Sequence, residues 1–244
     1  MSQPYSIDQI LNNVSHRPYA LPQKIWQYYQ EWNNVLFLHY EIEADTLRQL
    51  VPEHLSIDSF EGKCYISVVP FSMEKIRPRV LPSFPPISNF HEINVRTYVY
   101  HNGYNGVYFI NIEAQKRLST IISKILSGLP YEKSNIYRKD QLYINHNTQK
   151  NYKLHLQYEI GKRIIDKTNL EKWLTERYCL FLERGRKMYR YDIHHVEWPL
   201  LEVSFSRFHI YYKLQSHLKI DNQSPLFSHY SPGVQVLAWE RTLL

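Results

Sequence analysis

Cysteine is nearly absent: Cys64 and Cys179 are the only two in 244 residues, far apart and outside any CxxC spacing. That excludes a disulfide framework and a zinc site built on paired cysteines. Glycine is scarce as well, seven in all, and neither GxGxxG nor GxxxxGK[ST] occurs. The phosphate-cradling loops of dinucleotide and P-loop sites are therefore missing. A GxSxG elbow is absent too, and with it the usual sequence sign of a serine nucleophile. No apolar run reaches the roughly 18 residues that a membrane helix needs. The first thirty residues carry no apolar stretch ending in a small-residue cleavage site. Together with the unpaired thiols, these absences predict a soluble, cytoplasmic protein without a membrane partner. The formal charge of +6 is spread among acids along the whole chain, without a basic block or a recognised binding motif. It reads as solvated surface, with no nucleic-acid partner.

What the sequence has in quantity is aromatic residues, 15% of the chain with 21 tyrosines, within an ordinary hydrophobic content of 43%. Tyrosine and other aromatic residues favour strands, so the composition predicts a mainly β chain with peripheral helices. The length suits one domain over residues 1–244. Residues 1–32 read as a helical lead-in, with short helices over Ser6 to Val14 and Pro22 to Trp32 separated by prolines. Val35 to Ile42 is the first expected strand, followed by a short helix from Ala44 to Leu50 and a strand from Cys64 to Pro70. The proline-rich run Arg77 to Pro86 reads as an extended loop, placed to form a rim above the hairpin that begins at Phe90. Later strands are expected at Asn135 to Tyr143, Tyr152 to Ile160, Tyr178 to Leu182, Lys187 to His194, Leu201 to Tyr212 and Gly233 to Trp239. A helix over Asp166 to Tyr178 carries a capping-box pair, Thr168 and Glu171.

The most informative stretch runs from Phe90 to Tyr131. Residues His91 to Val99 alternate strictly, so a strand there puts Glu92, Asn94, Arg96 and Tyr98 on one face and Ile93, Val95 and Val99 on the other. The turn signals Asn102-Gly103 and Asn105-Gly106 lead into a return strand, Val107 to Ile112, through a longer loop. The period then changes to 3.6. Ala114, Leu118, Ile121, Ile122 and Ile125 share one face of a helix that Gly128 and Pro130 end. On the polar face, Glu92 and Arg96 lie ~13 Å apart between α-carbons at about 3.3 Å per residue. An arginine fork and a carboxylate on one cavity wall can hold a small anion and move a proton on it. The alternatives are a solvent-facing row of charges, or a buried network that binds nothing. His39 adds an imidazole whose ordinary pKa lies near neutrality. His194, His195 and Glu197 do not make a metal site, because successive strand residues point to opposite faces and no third ligand lies at a known spacing. No motif calls for a cofactor.

Several separate stretches resemble the YqjF-like family of bacterial proteins, domain of unknown function 2071, within the acetoacetate-decarboxylase-like superfamily. They include WNNVLFLH at Trp32 to His39, LRQLVP at Leu47 to Pro52 and FHEINVRTYV at Phe90 to Val99. GVYF at Gly106 to Phe109, TERYCL at Thr175 to Leu180 and Trp198-Pro199-Leu200 extend the likeness over most of the chain. The resemblance implies a closed, cone-shaped β-barrel with helices packed outside and a polar cavity within. In the decarboxylases a lysine of a Pro-Lys-Lys stretch forms a Schiff base and a glutamate on an earlier strand assists. Glu92 matches that glutamate. Leu129-Pro130-Tyr131-Glu132 falls where Pro-Lys-Lys is expected, so Tyr131 replaces the imine-forming lysine. Lys133, two residues on, shares Tyr131's face in an extended segment.

The resulting expectation is a barrel that binds a small anionic or carbonyl-bearing molecule. Glu92 and Tyr131 are the catalytic candidates, and Arg96, Asn94, Tyr98 and His39 the ligand-binding ones. If the chain is an enzyme, it is a lyase or isomerase that works without a Schiff base. The other reading is a non-catalytic ligand sensor or an assembly module, with a homo-oligomer compatible with either.

Overall fold

The computed structural model describes residues 5–116, 129, 131–185, 187–215 and 218–244. In chain order, α1 (Ile7–Asn12) precedes β1 (Tyr28–Ile42), α2 (Ala44–Arg48), β2 (Ser56–Ile57), β3 (Cys64–Pro78), α3 (Pro85–Ser88), β4 (Phe90–His101) and β5 (Tyr104–Ala114). Next come β6 (Tyr131–Lys133), β7 (Asn135–Lys139), β8 (Leu142–Asn147), β9 (Tyr152–Arg163), α4 (Asn169–Thr175), β10 (Cys179–Arg184) and β11 (Lys187–His194). The chain ends with β12 (Leu201–Leu214), β13 (Leu218–Asp221), β14 (Phe227–Ala238) and β15 (Thr242–Leu243). The mainly β class expected from the aromatic content is the class observed.

Seven strands form a closed path. It runs β11–β10–β5–β4–β3–β1–β14, and β14 returns to β11 through the pairs Ile193↔Ala238 and His194↔Leu237. Within the ring all pairs are antiparallel except β5–β10, which is parallel. From β14 the sheet continues through β12 to β9, β8 and β7, and this extension folds over the outside of the ring. The strands β1, β3 and β4 are therefore covered on both faces. Their outward residues, Leu36, Leu38, Val68 and Val95 among them, join one core with Leu154 and Tyr212 of the covering layer. Their inward residues, such as Val35, Phe37, Val69 and Phe71, form a second core with Trp198. On β4, alternation puts Glu92, Asn94 and Arg96 inside the ring and Ile93 and Val95 between the layers, because successive strand residues face opposite ways.

Several boundaries differ from the sequence reading. Pro22 to Trp32 is not a helix. Tyr28 to Trp32 opens β1, whose hydrogen bonds to β3 and β14 override local helix propensity. β3 runs on to Pro78 and takes in the start of the proline-rich stretch, whose Val80, Leu81 and Phe84 remain exposed. The β4–β5 hairpin turns tightly at Asn102-Gly103, with His101 paired to Tyr104 and φ of 48° and 88° at the two turn residues. Two left-handed residues are what a type I′ turn requires, and Asn-Gly supplies them. Asn105-Gly106 lies inside β5 rather than in a longer loop. Glu113 and Ala114 end that strand instead of opening a helix, Gln115 donates to the His91 carbonyl of β4, and residues 117–128 of the expected helix, with Pro130, lie outside the described residues. Asn135 to Tyr143 is two strands, turning at Asp140 (φ 50°). The Asp166 to Tyr178 helix shortens to α4, started by the expected Thr168–Glu171 capping box.

Candidate functional site

The ring interior holds a cavity of about 120 Å³, and all seven strands contribute to its lining. β4 supplies its polar row. Glu92, Asn94 and Arg96 line the cavity from one strand face, opposite Phe71, Val69 and Ser67 of β3. Tyr131 enters from β6, which runs parallel to β5 with Ile112 opposite Tyr131. Lys133 of the same strand is exposed, and among the described residues no lysine lines the cavity.

Glu92 is 3% exposed, and its Oε2 has no hydrogen-bond partner among the described residues. Burial pushes its carboxyl up to about 8, against the pull of Tyr131 and Asn94, whose hydrogen bonds favour the ionised form. The group is mostly protonated at pH 7 and can give up that proton within the neutral range. The Oδ1 of Asn94 also lacks a partner.

Arg96, 7% exposed, faces no carboxylate at ion-pair distance among the described residues. Its Nη2 donates to the Leu174 carbonyl at 3.5 Å, its guanidinium lies 5.7 Å from the Phe37 ring centroid, and its Nε is unpartnered. Burial lowers its pKa, yet an arginine starts so high that it remains cationic. The Leu174 carbonyl belongs to the last turn of α4, where helical carbonyls lose their intrahelical donors. It accepts from both Arg96 and Tyr98, the latter at 2.9 Å, so this short helix helps fix the arginine.

Sequence patterns do not single out Arg177, although it stands within the TERYCL stretch. It lines the cavity with Nη1 on Asp58 at 2.6 Å and Nε on the Trp173 carbonyl at 2.7 Å, leaving Nη2 buried and unpartnered. Its charge is matched by Asp58, whereas that of Arg96 is not. Trp32, Phe37 and Trp198 complete much of the wall. No local pattern distinguishes these rings from ordinary core residues.

His39 and Tyr98 lie just beyond the cavity, in a hydrogen-bonded chain that joins Arg96 through Tyr98. Ser67 Oγ is 2.7 Å from His39 Nδ1 and 2.6 Å from the Tyr98 hydroxyl. His39 is fully buried, and its pKa falls well below the ordinary value through burial, with His229 and Arg96 adding to the effect. A neutral imidazole behind the wall braces Tyr98. His194 and His195 are engaged with the backbone carbonyls of Ile10 and Val196.

Comparison with known proteins matches residues 29–235 to DUF2071, a family described as an uncharacterized conserved protein. The protein YqjF of Bacillus subtilis (strain 168) is 32% identical over 228 residues, 90% of this chain and 93% of YqjF. Among solved structures, an acetoacetate decarboxylase-like enzyme from Sphingomonas wittichii RW1 superposes with a TM-score of 0.60 at 13% identity, covering 91% of this chain and 94% of its own. The enduracididine biosynthesis enzyme MppR, complexed with pyruvate, gives 0.59 at 12% identity, covering 93% of each chain. At such identities the likeness is one of fold.

Proposed function

This chain belongs to the DUF2071 family of uncharacterised conserved proteins, and from that premise we propose that it binds a small organic acid carrying a carbonyl group and moves a proton on it. The observation that carries this reading is the pairing of two unusual groups in one cavity, a buried arginine without a carboxylate partner among the described residues and a buried carboxyl with an unpartnered oxygen, whose pKa burial raises. Arg96 is the anchor for the ligand's carboxylate, since a guanidinium fork meets a carboxylate with two parallel hydrogen bonds. Asn94 and Tyr131 orient the carbonyl near Glu92, which exchanges the proton. Tyr98 and His39 hold the arginine's end of the wall. A neighbour in fold, MppR, has been seen complexed with pyruvate, an acid of this chemical class. A tautomerisation or hydration needs only a proton relay beside a polarised carbonyl, which these side chains can supply.

Titration calorimetry with pyruvate and acetoacetate tests the reading. Saturable binding is expected in the wild type. Arg96→Ala should abolish it, and Arg96→Lys should weaken it about tenfold or more, because the charge remains but the planar fork is lost. Unchanged affinity in Arg96→Ala would remove Arg96 as the anchor. Proton exchange at the carbon next to the carbonyl, followed by NMR in deuterated buffer, separates an enzyme from a binding protein.

A further inference from the structure

The polar groups that β4 gives the cavity run from Arg96 at one end through Asn94 to Glu92 at the other. Register places Arg96 opposite Ser67 and Glu92 opposite Phe71, four strand residues away. Aromatic rings connect the two. From the Arg96 guanidinium the chain of contacts passes to Phe37 at 5.7 Å, from Phe37 to Trp198 at 5.1 Å, from Trp198 to Trp32 at 6.1 Å and from Trp32 to Phe71 at 6.0 Å. All four rings line the cavity. A ligand of two or three carbons would engage the arginine and leave this strip uncovered. The cavity volume of about 120 Å³ is close to the roughly 150 Å³ of an engineered apolar cavity in another protein that takes up benzene, which limits the ligand's apolar body to about one six-membered ring.

The charge balance limits the head group to one anion. Arg177 is already matched by Asp58 at 2.6 Å, so Arg96 is the uncompensated cation among the described lining residues. A second carboxylate at the far end would meet Glu92 amid aromatic walls, with no cation among the described lining residues to offset its desolvation.

We infer that the ligand is a monocarboxylate with an aryl or comparably broad apolar body, its carboxylate on Arg96, its body along the Phe37–Trp198–Trp32 strip and its carbonyl or other hydrogen-bonding group within reach of Glu92. This inference rests on the reading of Arg96 as the anchor and adds to it the class of ligand body. Burying a phenyl group against such a wall predicts at least about tenfold tighter binding of phenylpyruvate than of pyruvate, and of phenylacetate than of acetate. In Trp198→Leu, checked for folding by circular dichroism, that ratio should fall at least threefold.

Equal affinities for the phenyl-bearing and short acids would overturn the inference and leave the anchor reading intact. Binding of neither acid by the folded protein would overturn both. Succinate binding more tightly than phenylpyruvate would mean a second carboxylate occupies the far end, against the inference. A neutral analogue, 2-phenylethanol, binding as tightly as phenylacetate would show that the site takes the ring but not the anion. An unchanged ratio in Trp198→Leu would show that the strip does not receive the body.

Discussion

Glu92 is the residue whose chemistry depends most on its surroundings. In the unfolded chain its carboxyl titrates near the ordinary 4.5, and in the fold near 8. Between those values the folded state holds a proton that the unfolded state has released. The folded state thus binds more protons, and stability falls as pH rises, by up to about 1.4 kcal/mol per pH unit from this one group. Its unfavourable contribution is absent below the unfolded pKa and complete above about pH 8. Glu113, Glu176 and Asp192 are also raised by burial and act in the same direction. Buried histidines such as His39 and His195 are lowered, so their contribution runs the other way at acid pH. Comparing Glu92→Gln with wild type isolates the single group. Urea unfolding should show the variant gaining stability relative to wild type from pH 5.5 to 8.5. A constant difference over that range would mean that Glu92 is ionised in the folded protein.

Among the elements, the β4–β5 hairpin does most to build the candidate site, and its face assignment is legible in the sequence. Alternation alone puts Glu92, Asn94 and Arg96 together, because a strand permits only two faces. The turn is harder to read, since two Asn-Gly pairs stand three residues apart and either can reverse a chain. Register decides between them, for only the first leaves Val99 opposite Gly106. Gly106 is then required for a different reason, the approach of β10. A Cβ at this position would lie 2.6 Å from Cys179 Sγ and 2.7 Å from the Cys179 carbonyl oxygen. Gly106→Ala should therefore destabilise the protein by about 1 to 3 kcal/mol, as overpacking does in a close-packed interior. A denaturant midpoint equal to wild type would show that β5 and β10 separate at little cost. Helix α4 is shorter than its sequence pattern suggests, yet its start is readable from the Thr168 capping box, because capping is a local interaction. Where it stops is not readable, since the residues after it leave to pair as β10 with β5, distant in sequence.

On the scale of the whole molecule, ring closure through β11 and β14 decides which side chains share the cavity. Tyr131 reaches the same cavity through the pairing of β6 with β5, the neighbour of β4, while Lys133 on the same strand stays exposed. This arrangement predicts that incubation with acetoacetate and borohydride leaves no specific adduct, since an imine requires an amine at the carbonyl. Intact-mass spectrometry checks it, and a single stoichiometric adduct mapping to one lysine would restore the Schiff-base route. Ring closure also explains the aromatic wall that no sequence pattern marks. Trp198 is far in the chain from Trp32 and Phe37, which share β1, and each by itself is an ordinary apolar residue.

The sequence by itself determined the strand-rich class, the two-faced character of β4 and the polar residues on its inner face. Each follows from composition or from a period of two, which are local properties of the chain. Only the tertiary structure decided that this face points into a cavity, that Arg177 joins it with its charge already matched by Asp58, and that His39 and Tyr98 stand behind the wall. Those outcomes depend on pairings between strands remote in sequence, and a residue's burial and partners, which set its charge state, exist only once those strands have met.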